Sequence, residues 1–165
     1  MSARTRDLEG WHSVYRRDAG GAITSDESVR IRGPVVRCSD EGARQLGQRY
    51  WLAVARASRG LVRSRETRAG VELRVLGRAC VLRLGPAQTA FDDDSVRCRY
   101  AIEGGLLARR PSGSLTLSET RTELRATVEG FVPRLRGQAY QHLQHRLHVA
   151  VSCRYFSALL AEVAQ

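Results

Sequence analysis

From Leu61 to Val132 apolar residues recur at every second position, in short runs separated by turn residues, and then the period changes. Alternation with period two marks strands with one buried face, and successive runs joined by short turns predict an antiparallel meander. "LVRSRET" leads to a turn at Arg68-Ala69-Gly70. "VELRVLG" and "RACVLRLG" break around Gly77 and close on Gly85-Pro86. "DDDSVRCRYAIEGG" sets Val96, Cys98, Tyr100 and Ile102 on one face, opposite Arg97, Arg99 and Glu103. "SGSLTLSE" and "TELRATVEGF" follow, the second alternating Leu124, Ala126 and Val128 with Glu123, Arg125 and Glu129.

The flanks read differently. Residues 1–20 carry charges and Gly20-Gly21 with little periodicity, and are expected to form an N-terminal arm from which Trp11, Val14 and Tyr15 are available to dock. In "ESVRIRGPVVRC", Val29 and Ile31 alternate with Arg30 and Arg32, a half-buried strand interrupted at Gly33-Pro34. "SDEGARQLGQRYWLAVARAS" changes to helical spacing, with Ala43, Leu46, Gly47, Tyr50, Ala53, Val54 and Ala57 on one face. Ser39 or Asp40 is the expected N-cap, and Gly60 the expected left-handed stop. After Pro133 a last helix is predicted from Gly137 to Val163, about 40 Å long.

At 165 residues and 42% hydrophobic content the chain fits one domain, residues 21–165, with a sizeable core. No apolar run approaches the ~20 residues of a membrane span, and "MSARTRDLEGW" lacks a secretory h-region, so a cytoplasmic protein is expected. The net charge of +10 invites a polyanion partner. All 27 basic residues are arginine, however, and lysine and asparagine are absent, a pattern that a GC-rich bacterial genome also produces. Cys38, Cys80, Cys98 and Cys153 form no C-x-x-C pair, which excludes a zinc ribbon or dithiol motif; Cys80 and Cys98 fall at apolar phases, where a thiol acts as a small hydrophobe. "FDDD" lacks the spaced ligands of a calcium loop and reads as a solvated hairpin turn.

The residues that most suggest chemistry are His142, His145 and His148 in "QAYQHLQHRLHVAVSCRYFSALL". On a helix they spread over about 120°, too wide for one ion without another segment, and H-E-x-x-H is absent. No metal or cofactor is expected. Tyr140, Leu143, Leu147, Ala150, Val151, Tyr155 and Ala158 share one apolar arc, with Gln144 just inside it and His148 at its edge. His142 and His145 face the other way, whereas His148 can either pack or meet a ligand.

The order of elements, and above all "SGSLTLSETRTELRATVEGFVPRLRGQAYQHLQHRLHVAVSCRYFSALL", resembles the START-like, or SRPBCC, helix-grip superfamily. The resemblance covers residues 25–163. It implies an α+β fold in which a curved antiparallel sheet wraps a long C-terminal helix around a hydrophobic cavity. It carries no catalytic residue, because that superfamily has no universal catalytic motif, and only one clear helix precedes the meander where many members have two.

A small hydrophobic guest (a lipid, polyketide or aromatic compound) is the function the resemblance implies. The inward phase supplies candidate cavity residues Leu73, Val75, Leu82, Tyr100, Ile102, Leu124 and Val128 from the sheet, with Leu143, Gln144, Leu147, His148 and Val151 from the helix. Leu84 shares that phase, and a packed core accounts for the same pattern as well as a cavity does. A cyclase or hydrolase on this scaffold would need polar groups in the cavity, and His148, Tyr100 and Gln144 are the candidates. No G-x-S-x-G nucleophile is present. The third reading is a nucleic-acid or anionic-membrane binder, using Arg30, Arg32, Arg63, Arg65, Arg74, Arg83, Arg97, Arg99 and Arg125 on the outer sheet face.

Overall fold

A computed structural model describes residues 8–134 and 146–163. Its strands are β1 (His12–Arg17), β2 (Ile23–Arg30), β3 (Val62–Thr67), β4 (Gly70–Val75), β5 (Ala79–Leu84), β6 (Gln88–Phe91), β7 (Ser95–Gly104), β8 (Ser114–Thr120) and β9 (Glu123–Phe131). Helix α1 (Asp40–Ala57) lies between β2 and β3, and α2 (Arg146–Val163) closes the chain. The architecture is α+β. All strand pairs are antiparallel in one open sheet of order β1-β2-β9-β8-β7-β5-β4-β3, with β6 paired beside β7.

Where the sequence suggested an arm, residues 12–17 form strand β1. His12–Arg17 pairs in register with Ile23–Ser28 through the turn at Asp18–Gly21, where Asp18 Oδ1 accepts from the Ala22 N–H at 2.9 Å. Leu8 is buried, and the Trp11 ring meets Phe156 edge-on at 6.1 Å. In HSVYRR the two half-buried residues, Val14 and Tyr15, are adjacent and not alternate, so the strand carried no period-two signal. The tetrad Gln88–Phe91 was likewise too short and too exposed to read as β6. Asp92, in the turn that follows, accepts from the Asp94 and Ser95 N–H groups, the solvated hairpin role expected of "FDDD".

Helix α1 starts as its sequence dictates. Ser39 is the N-cap, its Oγ accepting from the Gly42 N–H at 3.1 Å, and Asp40 and Glu41 stand in the first turn. It stops where Arg59 and Gly60 take φ of 52° and 80°, and the Gly60 N–H donates to Ala55 O at 2.7 Å. Small residues let it lie close on the sheet: a Cβ at position 47 would run into the Tyr100 hydroxyl. Helix α2 packs against α1 through Tyr155 on Tyr50, ring centroids 5.4 Å apart, and through the Arg49–Glu162 ion pair.

The loop entering α1 is held by a buried acid. Glu119, on the inner face of β8, accepts from the Val35 N–H at 2.6 Å and from the Val36 N–H. Burial pushes its carboxyl up, while those two backbone bonds pull the other way.

Register organises the inner face into rows across the sheet. Val96, Glu119, Leu124 and Val29 form one row, and Cys98, Leu117, Ala126, Glu27 and Ser13 the next. Tyr100, Leu115, Val128, Ser25 and Tyr15 form a third. The first two rows are close-packed, with Val29, Val96, Cys98, Leu117, Leu124 and Ala126 all wholly buried. Beyond the third row the sheet opens. Three register shifts gather there: an extra residue on β9 at Gly130 (φ 67°), one on β5 at Val81 and one on β7 at Glu103. Each bulge bends its strand and adds twist.

Candidate functional site

The opened end of the inner face holds a partly open cavity of about 150 Å³. Its floor comes from the sheet: Ile23 and Ser25 on β2, Leu73 on β4, Val81, Leu82 and Leu84 on β5, Ile102 on β7, Leu115 on β8, and Val128 and Phe131 on β9. The C-terminal half of α1 contributes Tyr50, Trp51 and Val54, and its C-cap contributes Ser58. The start of α2 contributes Leu147, His148 and Val151, and Tyr15, Val62 and Leu107 complete the wall.

Of the residues the sequence proposed, Leu73, Leu82, Ile102, Val128, Leu147, His148 and Val151 line this cavity. Leu143 and Gln144, like His142 and His145, lie outside the described residues. Tyr100 points the right way but packs under Trp51, centroids 5.0 Å apart, and Leu124 belongs to the close-packed rows. Val75, half-buried past the β5 bulge, does not reach the cavity. Leu147 was expected at the middle of the buried arc. It is 42% exposed, so it sits at the cavity's rim.

Among the described residues the walls are mostly apolar, and a buried polar chain at one end was not anticipated. Glu27 occupies an inward position of β2 with 0% exposure. Its Oε1 accepts from Ser25 Oγ at 2.8 Å and from Ser13 Oγ at 3.4 Å. Its Oε2 faces His148 Nε2 at 2.5 Å, and on the other side of the ring His148 Nδ1 meets the Tyr50 hydroxyl at 3.3 Å. A buried carboxylate demands such company, since an unpaired charge in this setting is costly. Burial pushes the Tyr50 hydroxyl well above the ordinary phenol range, and the Glu27 charge adds to that, so Tyr50 stays neutral at physiological pH.

The signal for Glu27 was present in the sequence: it shares the alternation of Val29 and Ile31, which places a carboxylate inward. Val81 was missed because the bulge on β5 turns two consecutive residues, Val81 and Leu82, toward the same space. Cys153 also lies near Glu27; burial first, then that carboxylate, push its thiol up to about 11, which leaves it a packing residue and not a nucleophile. The Ser152 and Tyr155 hydroxyls are buried without a hydrogen-bond partner among the described residues, but neither lines the cavity.

The arginine face is less uniform than the sequence implied. Glu72 takes both Arg74, at 2.9 Å, and Arg83. Arg125 bonds Asp26 and Glu123, and Arg32 meets Glu9. Arg97 and Arg99 stand exposed on β7, with no ion-pair partner among the described residues. Their outer-face neighbours on β8, Ser118 and Thr116, are neutral. No described helix is long and apolar enough to cross a membrane.

No protein-family model matches this chain, and neither does any curated protein or solved structure.

Proposed function

We propose that the protein is a helix-grip domain of the START-like kind that binds one small apolar molecule between sheet and helices. The observation that carries this reading is the cavity: about 150 Å³ of space walled by Leu, Ile, Val and aromatic side chains in a chain whose adjoining rows are close-packed. Natural interiors hold few voids larger than a water molecule. Apolar cavities of comparable volume accept a benzene-sized guest. The volume favours a single ring over a long lipid tail or a fused polycycle.

The test is direct titration with toluene, followed by NMR shifts of the lining methyl groups. Saturable binding to one site supports the reading. Val128→Phe, which projects a ring into the cavity, should abolish that binding and hold or raise the melting temperature. If the space is in truth filled by packing, wild type binds nothing and Val128→Phe loses about 1–3 kcal/mol through overpacking.

A further inference from the structure

The polar end of the cavity says what kind of guest belongs there. We infer that Tyr50, backed by His148 and Glu27, is a recognition point for a hydroxyl group, and that the site takes a monocyclic aromatic alcohol of the phenol class. This rests on the cavity being a ligand site and goes beyond it in naming the guest's chemistry.

The inference follows from counting hydrogen-bond capacity. Ser25 lines the cavity and spends its one proton on Glu27 Oε1 at 2.8 Å, so it can offer a guest lone pairs only. Glu27 Oε2 lies 2.5 Å from His148 Nε2 without aligned hydrogen-bond geometry, so the contact is one of close approach. The imidazole's other nitrogen, Nδ1, spends its one position on the Tyr50 hydroxyl at 3.3 Å. A tyrosine hydroxyl donates once and accepts twice, so that single contact among the described residues leaves Tyr50 with capacity to spare. Tyr50 and His148 both line the cavity.

With a neutral imidazole, Tyr50 donates to Nδ1 and offers the guest lone pairs. With an imidazolium, Nδ1–H donates to Tyr50, whose own O–H turns to the guest. A hydroxyl guest, both donor and acceptor, fits either state. A hydrocarbon leaves the capacity unused, and the cavity volume leaves room for one ring beside it.

Phenol and toluene are near-isosteres that separate the two levels of the argument. Calorimetric titration should show wild type binding phenol within about threefold of toluene, although phenol gives up far more hydration on entering an apolar site. Tyr50→Phe should weaken phenol about tenfold, the worth of one neutral hydrogen bond with its partner buried, and leave toluene unchanged. The toluene affinity of that variant reports whether its cavity is intact. Wild type that binds toluene but takes phenol tenfold or more weakly overturns the hydroxyl assignment while sparing the apolar site. A phenol affinity that survives Tyr50→Phe overturns the role of Tyr50. Failure of both ligands to bind wild type removes the ligand site itself, and this inference with it.

Discussion

Two ends of the same strands differ sharply. On β9, Leu124 and Ala126 are wholly buried, yet Val128, two residues on and in the same phase, lines a void. On β8 the same contrast separates Leu117 from Leu115, and on β7 Cys98 from Ile102. Alternation is identical at both ends, so side-chain phase does not decide which end is hollow. What differs is the cover and the curvature. At the close-packed end α1 is tied to the sheet, with Asp40 accepting from Thr89 of β6 at 2.5 Å. At the other end three bulges interrupt the pairing, and each bends its strand. Strand pattern sets which face is inside; bulges and helix contact set how much space is left there.

Substitutions can break or sharpen this contrast. The largest effect is expected at Glu27, which sits in a close-packed row but serves the polar end of the cavity. Glu27→Ala strands a buried imidazole and should cost about 3–5 kcal/mol in urea unfolding. A loss below 1 kcal/mol would show that water reaches this position and would move Glu27 to the hollow end. Next come the deletions that measure packing itself. Leu117→Ala should lose about 2–5 kcal/mol, as buried leucines do, because nothing around it can collapse. Leu82→Ala, at the cavity wall and half-buried, should lose about 1–2 kcal/mol, since part of its surroundings is already empty. Equal losses at the two sites would erase the distinction.

Gly47→Ala tests the close approach of α1. With the Tyr100 hydroxyl in the way, helix propensity cannot rescue it, and a loss of about 1–3 kcal/mol is expected, whereas an exposed helical glycine would gain. The smallest effect concerns Glu119. Its carboxyl is raised in the folded state above the ordinary 4.5, so the folded chain holds that proton more tightly than the unfolded one. The contribution favours folding below pH 4.5 and is lost as pH rises through the raised value. Glu119→Gln should therefore remove a shallow decline in stability just above pH 4.5, read from chemical denaturation at closely spaced pH values.

Much of this organisation was legible in the sequence. The inward phases of β4, β5, β7 and β9 followed from alternation, and the α1 cap followed from Ser39 with its two acids. The cavity did not, because a void and a filled core share one binary pattern. Its lining came out only in part for the same reason. Val81 needed a bulge that breaks the period, and Tyr100 needed the position of Trp51, set by a helix far away in sequence. Glu27 was readable as an inward acid. Its pairing with His148 and Tyr50 was not, because those residues come from three separate elements.

The pairing of β2 with β9 sets a schedule for the chain as it is made. Val29 lies opposite Leu124, so the N-terminal hairpin and α1 emerge long before the strand that seats them exists. At about 5–20 residues per second, synthesis leaves β2 waiting roughly 5–20 s for its neighbour. Through that interval the inward edge of β2, with Glu27 and Val29, has no sheet to join and no apolar face to lie on. The first third of this protein is thus a passenger on the ribosome until the last strand is translated, and its yield in the cell should depend on translation speed and on chaperones that shield an unpaired hairpin.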